Sequence, residues 1–224
     1  MTRIALVHAT RVAIDPIEQA ARHNWPEVET ISILEEGLSV DRRKSPLLSD
    51  NLSQRIAALT RYAEGTGANG VLFTCSAFGS AIADAAHESK VPVMKPNEAM
   101  FDAAFAYGDR IAMIYTFPPA AEGMEQEFQE AALSRGSDAQ LRSYFCENAL
   151  EALQAGRVDD HNALIGQTAA QIEDADVIML AQFSMANAAD TVRAATSTPI
   201  LTSPEAAVDE MRRRIEAQSG VSSC

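Results

Sequence analysis

The chain is short of positive charge. Lys and Arg number 18 against 31 Asp and Glu, a formal net charge of -13. Non-specific affinity for nucleic acid comes from many cationic contacts to phosphate. Nucleic acid and anionic membrane surfaces are therefore excluded as general partners, and any anionic ligand must be held by local donors. Cysteine is scarce as well. The three residues Cys75, Cys146 and Cys224 are odd in number and show no C-x-x-C spacing, which argues against a disulfide framework and a zinc site. A reducing cytoplasmic setting is expected.

Long apolar runs are missing too. Met1 leads into the short apolar segment Ile4 to Val7 without a basic leader, so neither a signal peptide nor a membrane span is expected. That segment runs into His8-Ala9-Thr10-Arg11-Val12, not into a G-x-G-x-x-G loop, and no Walker-type loop or H-E-x-x-H occurs. The usual cradles for nicotinamide dinucleotides, nucleoside triphosphates and catalytic zinc are absent. No cofactor and no metal are expected.

What the chain does have is a repeat. Arg3-Ile4-Ala5-Leu6-Val7 matches Arg110-Ile111-Ala112-Met113-Ile114, an offset of 107 from position 3 to position 110. Val71-Leu72-Phe73-Thr74-Cys75 aligns with Ile178-Met179-Leu180-Ala181-Gln182, again 107 from position 71 to position 178. The same register sets Pro92 on Pro199, Glu98 on Glu205, Ala99 on Ala206 and Asp102 on Asp209. Any two strand-helix units share apolar runs, but a common offset over separated blocks points to duplication.

Each half reads as four strands alternating with helices. In the first half the strands are Ile4 to His8, Thr30 to Leu34, the run from Val71, and Val91 to Met94. In the second they are Ile111 to Tyr115, Gln140 to Phe145, the run from Ile178, and Pro199 to Leu201. Short apolar runs bounded by turn residues suit parallel strands covered on both faces, and the alternation implies right-handed crossovers. The expected fold is α/β, with two pseudo-symmetric halves that are each a four-stranded parallel sheet flanked by helices. Residues 1–104 with 204–224 form an N-terminal lobe completed by a returning C-terminal helix, and residues 105–203 form the other lobe. Ser203-Pro204-Glu205 reads as an N-cap serine, a first-turn proline and an acid. Lys95-Pro96-Asn97-Glu98 is a looser version. The polar stretch from Glu35 to Asn51 reads as a long connection or flap.

Ligands of open parallel sheets bind beyond the carboxyl ends of the strands. That rule selects His8, Thr74-Cys75-Ser76 and Lys95 in one half, and Tyr115, Thr116, Gln182 and Ser184 in the other. With the halves facing each other about a pseudo-twofold axis, Cys75 and Gln182 would meet across a cleft that holds the active site. A helix start after Cys75 would lower its thiol pKa and bind carboxylate. A buried inert cysteine is the competing reading. His8 is the best available second acid or base, against a packing or capping histidine. Thr74, Ser76, Tyr115, Thr116, Gln182, Ser184 and Lys95 are candidate substrate-binding groups.

Val71-Leu72-Phe73-Thr74-Cys75-Ser76-Ala77, with its echo Val177 to Gln182, resembles the two active-site strands of the aspartate/glutamate racemase superfamily. That superfamily also holds hydantoin racemases, maleate isomerases and arylmalonate decarboxylases. The resemblance covers nearly the whole chain. It implies a cofactor-independent enzyme, homodimeric, acting at the carbon next to the carboxylate or carbonyl of a small acid. Two-base members place one cysteine in each half. Cys75 matches the first position, whereas Gln182 stands at the second, and an amide transfers no proton near neutral pH. Decarboxylases of the superfamily keep one such cysteine, in the other half. Three readings follow: an isomerase using Cys75 with a partner such as His8, a decarboxylase protonating through Cys75, or covalent attack by Cys75. A binding protein that kept the cleft and lost the chemistry is the alternative class.

Overall fold

The computed structural model describes residues 1–44 and 47–221. By its internal contacts the chain divides into two compact units, Met1–Pro96 with Pro204–Cys224, and Asn97–Ser203. The division falls eight residues before the boundary read from sequence, so the helix that follows the fourth strand belongs to the second unit.

The first unit runs β1 (Arg3–His8), α1 (Ile14–Asn24), β2 (Glu29–Leu34), α2 (Gly37–Arg42), α3 (Asp50–Gly65), β3 (Gly70–Phe73), α4 (Gly79–Glu88) and β4 (Val93–Met94). Its strands are all parallel in the order β2-β1-β3-β4. Pattern explains position. Ile4 to His8 and Gly70 to Phe73 are buried without interruption, as central strands covered on both faces must be. Strand β2 carries Glu29, Thr30 and Ser32 and takes the edge. Helix α1 buries Pro16, Ile17, Ala20 and Ala21 on one stripe. Helix α3 buries Leu52, Ile56, Thr60 and Ala63, and Ser49 caps it by accepting from the Leu52 N–H at 3.4 Å. Both follow the helical period.

The second unit contains α5 (Glu98–Ala104), β5 (Arg110–Tyr115), α6 (Ala121–Arg135), β6 (Gln140–Phe145), α7 (Ala149–Gln154), α8 (Val158–Ala170), β7 (Val177–Leu180), α9 (Ala189–Ala195) and β8 (Ile200–Thr202). Its sheet repeats the first, parallel in the order β6-β5-β7-β8. Both central strands start 107 residues after their counterparts, β5 on β1 and β7 on β3. The edge strand alone departs, with β6 starting 111 residues after β2. The excess of four is the difference between the 15-residue α6 and the 11-residue α1. A shorter connection after β6 restores the register by β7.

The helix after each fourth strand packs in the other unit. Helix α5 lies against α6, where Phe101 meets Phe128 edge-on at 5.7 Å between ring centroids. Helix α10 (Ser203–Val221) packs on β3 of the first unit, with Met211 and Ile215 over Gly70. A β-carbon at Gly70 would stand 2.5 Å from Met211 Sδ and 3.0 Å from Ile215 Cδ1. The glycine admits this close approach.

Two local expectations change. Ser203 does not stand outside its helix as an N-cap; α10 begins at Ser203, whose hydroxyl donates to Asn97 Oδ1 at 2.7 Å. Asn97 stands at the N-cap position of α5, but its side chain makes no capping bond; its amide donates instead to Met124 Sδ at 3.2 Å. Both side chains are buried, and burial directs their polar atoms to partners inside the unit. The stretch read as a flap holds the short helix α2, anchored by Arg55, which pairs with Glu35 and with Asp41, the latter at 2.7 Å. Residues 45 and 46 of that stretch lie outside the described residues. No helix among the described residues is long and apolar enough to cross a membrane.

Candidate active site

In the first unit the end of β3 presents Thr74, Cys75 and Ser76. Cys75 has extended backbone and starts a single 3-10 turn over Ser76–Phe78 before α4 begins. The residue is partly exposed. Crowding by surrounding protein nevertheless pushes its thiol up to about 11. The Ala77 N–H and the Arg42 charge act in the opposite direction. The lowering expected from a helix start is thus present but outweighed, because desolvation of a thiolate costs more than one N–H and one cation return here. The resting group is a protonated thiol.

Arg42 is the site residue that the sequence reading missed. It ends α2, is 7% exposed, and donates from Nε to the Ala77 carbonyl at 3.1 Å. Nothing in a polar stretch rich in Arg and Lys marks one guanidinium as the one folded under the turn after Cys75. Ser76 keeps its hydroxyl buried, with no hydrogen-bond partner among the described residues.

His8 ends β1 and is 0% exposed. Its Nδ1 lies 2.9 Å from Thr74 Oγ1 and its Nε2 3.2 Å from Ser32 Oγ. Burial lowers its pKa to about 4, against the nearby charge of Glu18. The ring is therefore neutral and enclosed, with both nitrogens engaged within the first unit. Thr74, read as a substrate-binding group, directs its hydroxyl to His8 and to the Val7 carbonyl. Lys95 follows β4 and is half-buried.

The second unit gives the equivalent strand end a different chemistry. Gln182 follows β7, and its Oε1 accepts from the Thr116 N–H at 2.9 Å and from Thr116 Oγ1 at 3.2 Å. Two donors facing one atom fix that atom as the oxygen. The Nε2 group is left buried with no acceptor among the described residues. Tyr115 stacks on Phe145 across the β5/β6 pair at 5.4 Å between centroids. Burial and the charge of Glu125 raise its phenol. Ser184 is buried in the 3-10 segment after Gln182. Of the other cysteines, Cys146 is buried among the apolar residues behind β5 and β7, and Cys224 lies outside the described residues.

This arrangement of strands, with a thiol after the third strand of one unit and an amide after the third strand of the other, can be set against known structures. No family model matches the sequence, and no curated protein matches it. Solved structures do. The fold is that of the glutamate racemases. The glutamate racemase of Francisella tularensis superposes with a TM-score of 0.76 over 97% of this chain and 82% of its own, at 10% identity. The allantoin racemase of Pseudomonas fluorescens gives 0.71 over 97% and 92%, at 17% identity. A mutant arylmalonate decarboxylase gives 0.65 over 96% and 93%, also at 17%. The racemase fold read from Val71 to Ala77 and from the repeat is therefore present over nearly the whole chain. Its neighbours include both isomerases and a decarboxylase.

Proposed function

We propose that this protein is a cofactor-independent enzyme that moves a proton at the carbon next to the carboxylate of a small acid, with Cys75 as the proton-transfer group. The observation that carries the reading is the placement of Cys75. It ends the third strand of a racemase fold, beside the Ala77 N–H, the Arg42 charge and a buried Ser76 hydroxyl with no partner among the described residues. A thiol there can deliver its proton to an adjacent carbanion. The thiolate left behind is stabilised by Ala77 and Arg42 until water returns the proton. In the isomerase direction the thiolate takes the α-proton, the planar carbanion turns its other face to the same thiol, and the proton returns there. Gln182 supplies no proton; its free N–H bonds suit a substrate oxygen.

A second reading is favoured by one specific observation. A thiol held at about 11 is an acid at neutral pH rather than a base. That suits a decarboxylase: CO2 departs, the C–C electron pair stays on the α-carbon, and Cys75 protonates it from one side. Turnover of α-substituted and malonate-type acids in deuterated water, followed by NMR, tests both readings. Deuterium entering the α-position without loss of carboxylate supports the isomerase; deuterated product with CO2 release supports the decarboxylase. Absence of both across the panel rejects the proposal.

A further inference from the structure

A line of hydrogen bonds crosses the first unit from solvent to the residue before Cys75. Ser32 on β2 donates from Oγ to Glu18 Oε1 on α1 at 3.0 Å. Glu18 is partly exposed and paired with Arg22. Ser32 Oγ is 3.2 Å from His8 Nε2, and His8 Nδ1 is 2.9 Å from Thr74 Oγ1. A carboxylate only accepts, so it takes the single proton of Ser32. Nε2 must then donate to Ser32, which leaves Nδ1 of the neutral ring without a proton; the Thr74 hydroxyl lies between two acceptors, Nδ1 at 2.9 Å and the Val7 carbonyl at 3.3 Å, and donates over the shorter contact to Nδ1. All three bonds point the same way, and the histidine tautomer follows from them.

The duplication supplies an internal control. At the offset of 107, Glu18 corresponds to Glu125, His8 to Tyr115, Thr74 to Ala181 and Cys75 to Gln182. Ser32 pairs with Leu6 in the β1/β2 register, and Ser143 pairs with Met113, the residue equivalent to Leu6, in the β5/β6 register. The second unit therefore keeps the acid and the serine. The Ser143 hydroxyl has no hydrogen-bond partner among the described residues, and Tyr115 and Ala181 stand where the first unit has its histidine and threonine. The unit with the thiol has the complete line; the unit with the amide has only its beginning.

The geometry points to His8 as a positioning residue, a neutral Nε2–H imidazole that, held by Glu18 and Ser32, orients Thr74 and so fixes the strand end carrying Cys75. It rests on Cys75 as the reacting group only for its consequence in turnover, so the test reads the free protein. Long-range 1H–15N NMR at neutral pH should find His8 protonated on Nε2. Thr74→Val should speed alkylation of Cys75 by iodoacetamide more than about threefold, the size expected for one lost hydrogen bond, whereas Thr74→Ser should leave it within that margin. Ala181 at the equivalent position shows that such a unit folds without the hydroxyl. A proton on Nδ1, or an alkylation rate in Thr74→Val within about threefold of the unmutated protein, overturns the assignment. Both readouts stand whether or not a substrate is found.

Discussion

Thr116 holds the side-chain oxygen of Gln182 with two donors, its N–H at 2.9 Å and its hydroxyl at 3.2 Å. The amide thus has one orientation, with its N–H bonds turned away from Thr116. At that strand end it can bind an oxygen but cannot exchange a proton with carbon. On the proposed decarboxylase reading proton delivery is one-sided, and a prochiral carbanion should give one enantiomer. Gln182→Cys adds a second acid/base group and should create racemising activity on that product; positioned proton transfer contributes roughly 10²–10⁴-fold. Chiral analysis of product from both proteins checks this, and rapid racemisation by the unmutated protein would contradict the decarboxylase reading.

The state of Cys75 makes a second prediction. With its thiol pushed up to about 11, alkylation of the free protein by iodoacetamide should climb steadily with pH through 9, where an ordinary cysteine has half-titrated. Arg42→Met removes the neighbouring charge and should move that profile higher still. A plateau at or below pH 8 would show a thiolate already formed at rest.

His8 carries an acid-stability prediction. Unfolded, it binds its proton near 6.5; folded, near 4. Between these values the unfolded chain holds more protons, so acid favours unfolding. The contribution is complete above about pH 6.5 and is lost as pH falls to about 4, amounting to about 3 kcal/mol. His161 is also lowered by burial and acts in the same sense. Urea midpoints at pH 7 and pH 4.5 should therefore diverge in the unmutated protein and converge in His8→Asn.

Gly70 tests the packing of the C-terminal helix. Gly70→Val installs the residue found at the equivalent Val177, yet its β-carbon meets Met211 and Ile215. Over-packing of this kind costs about 1–3 kcal/mol. Chemical denaturation should show that loss, and hydrogen exchange should place it in α10. Unchanged stability would mean that α10 adjusts freely.

The strands were legible because their signal is local and repeated. Ile4 to Val7 and Val71 to Phe73 are buried runs that recur at one spacing. The place of Cys75 at the end of β3 was legible for the same reason, since it follows one of those repeated runs. The roles of Ser203 and Asn97 were not, because each looks like a cap in its own segment and is diverted by a partner about a hundred residues away. Arg42 was hidden in a stretch of similar charges, and only the fold selects which one reaches the Ala77 carbonyl. The surroundings of His8 depend on Glu18, Ser32 and Thr74, three residues unremarkable in sequence that α1, β2 and β3 bring together.

The central claim is that Cys75 transfers the proton, and solvent-deuterium incorporation at the α-carbon tests it most directly. On an acid that the unmutated protein turns over, Cys75→Ala should abolish incorporation and Cys75→Ser should reduce it by orders of magnitude, with near-unchanged circular dichroism and thermal midpoint. Incorporation by Cys75→Ala at the unmutated rate would contradict the account.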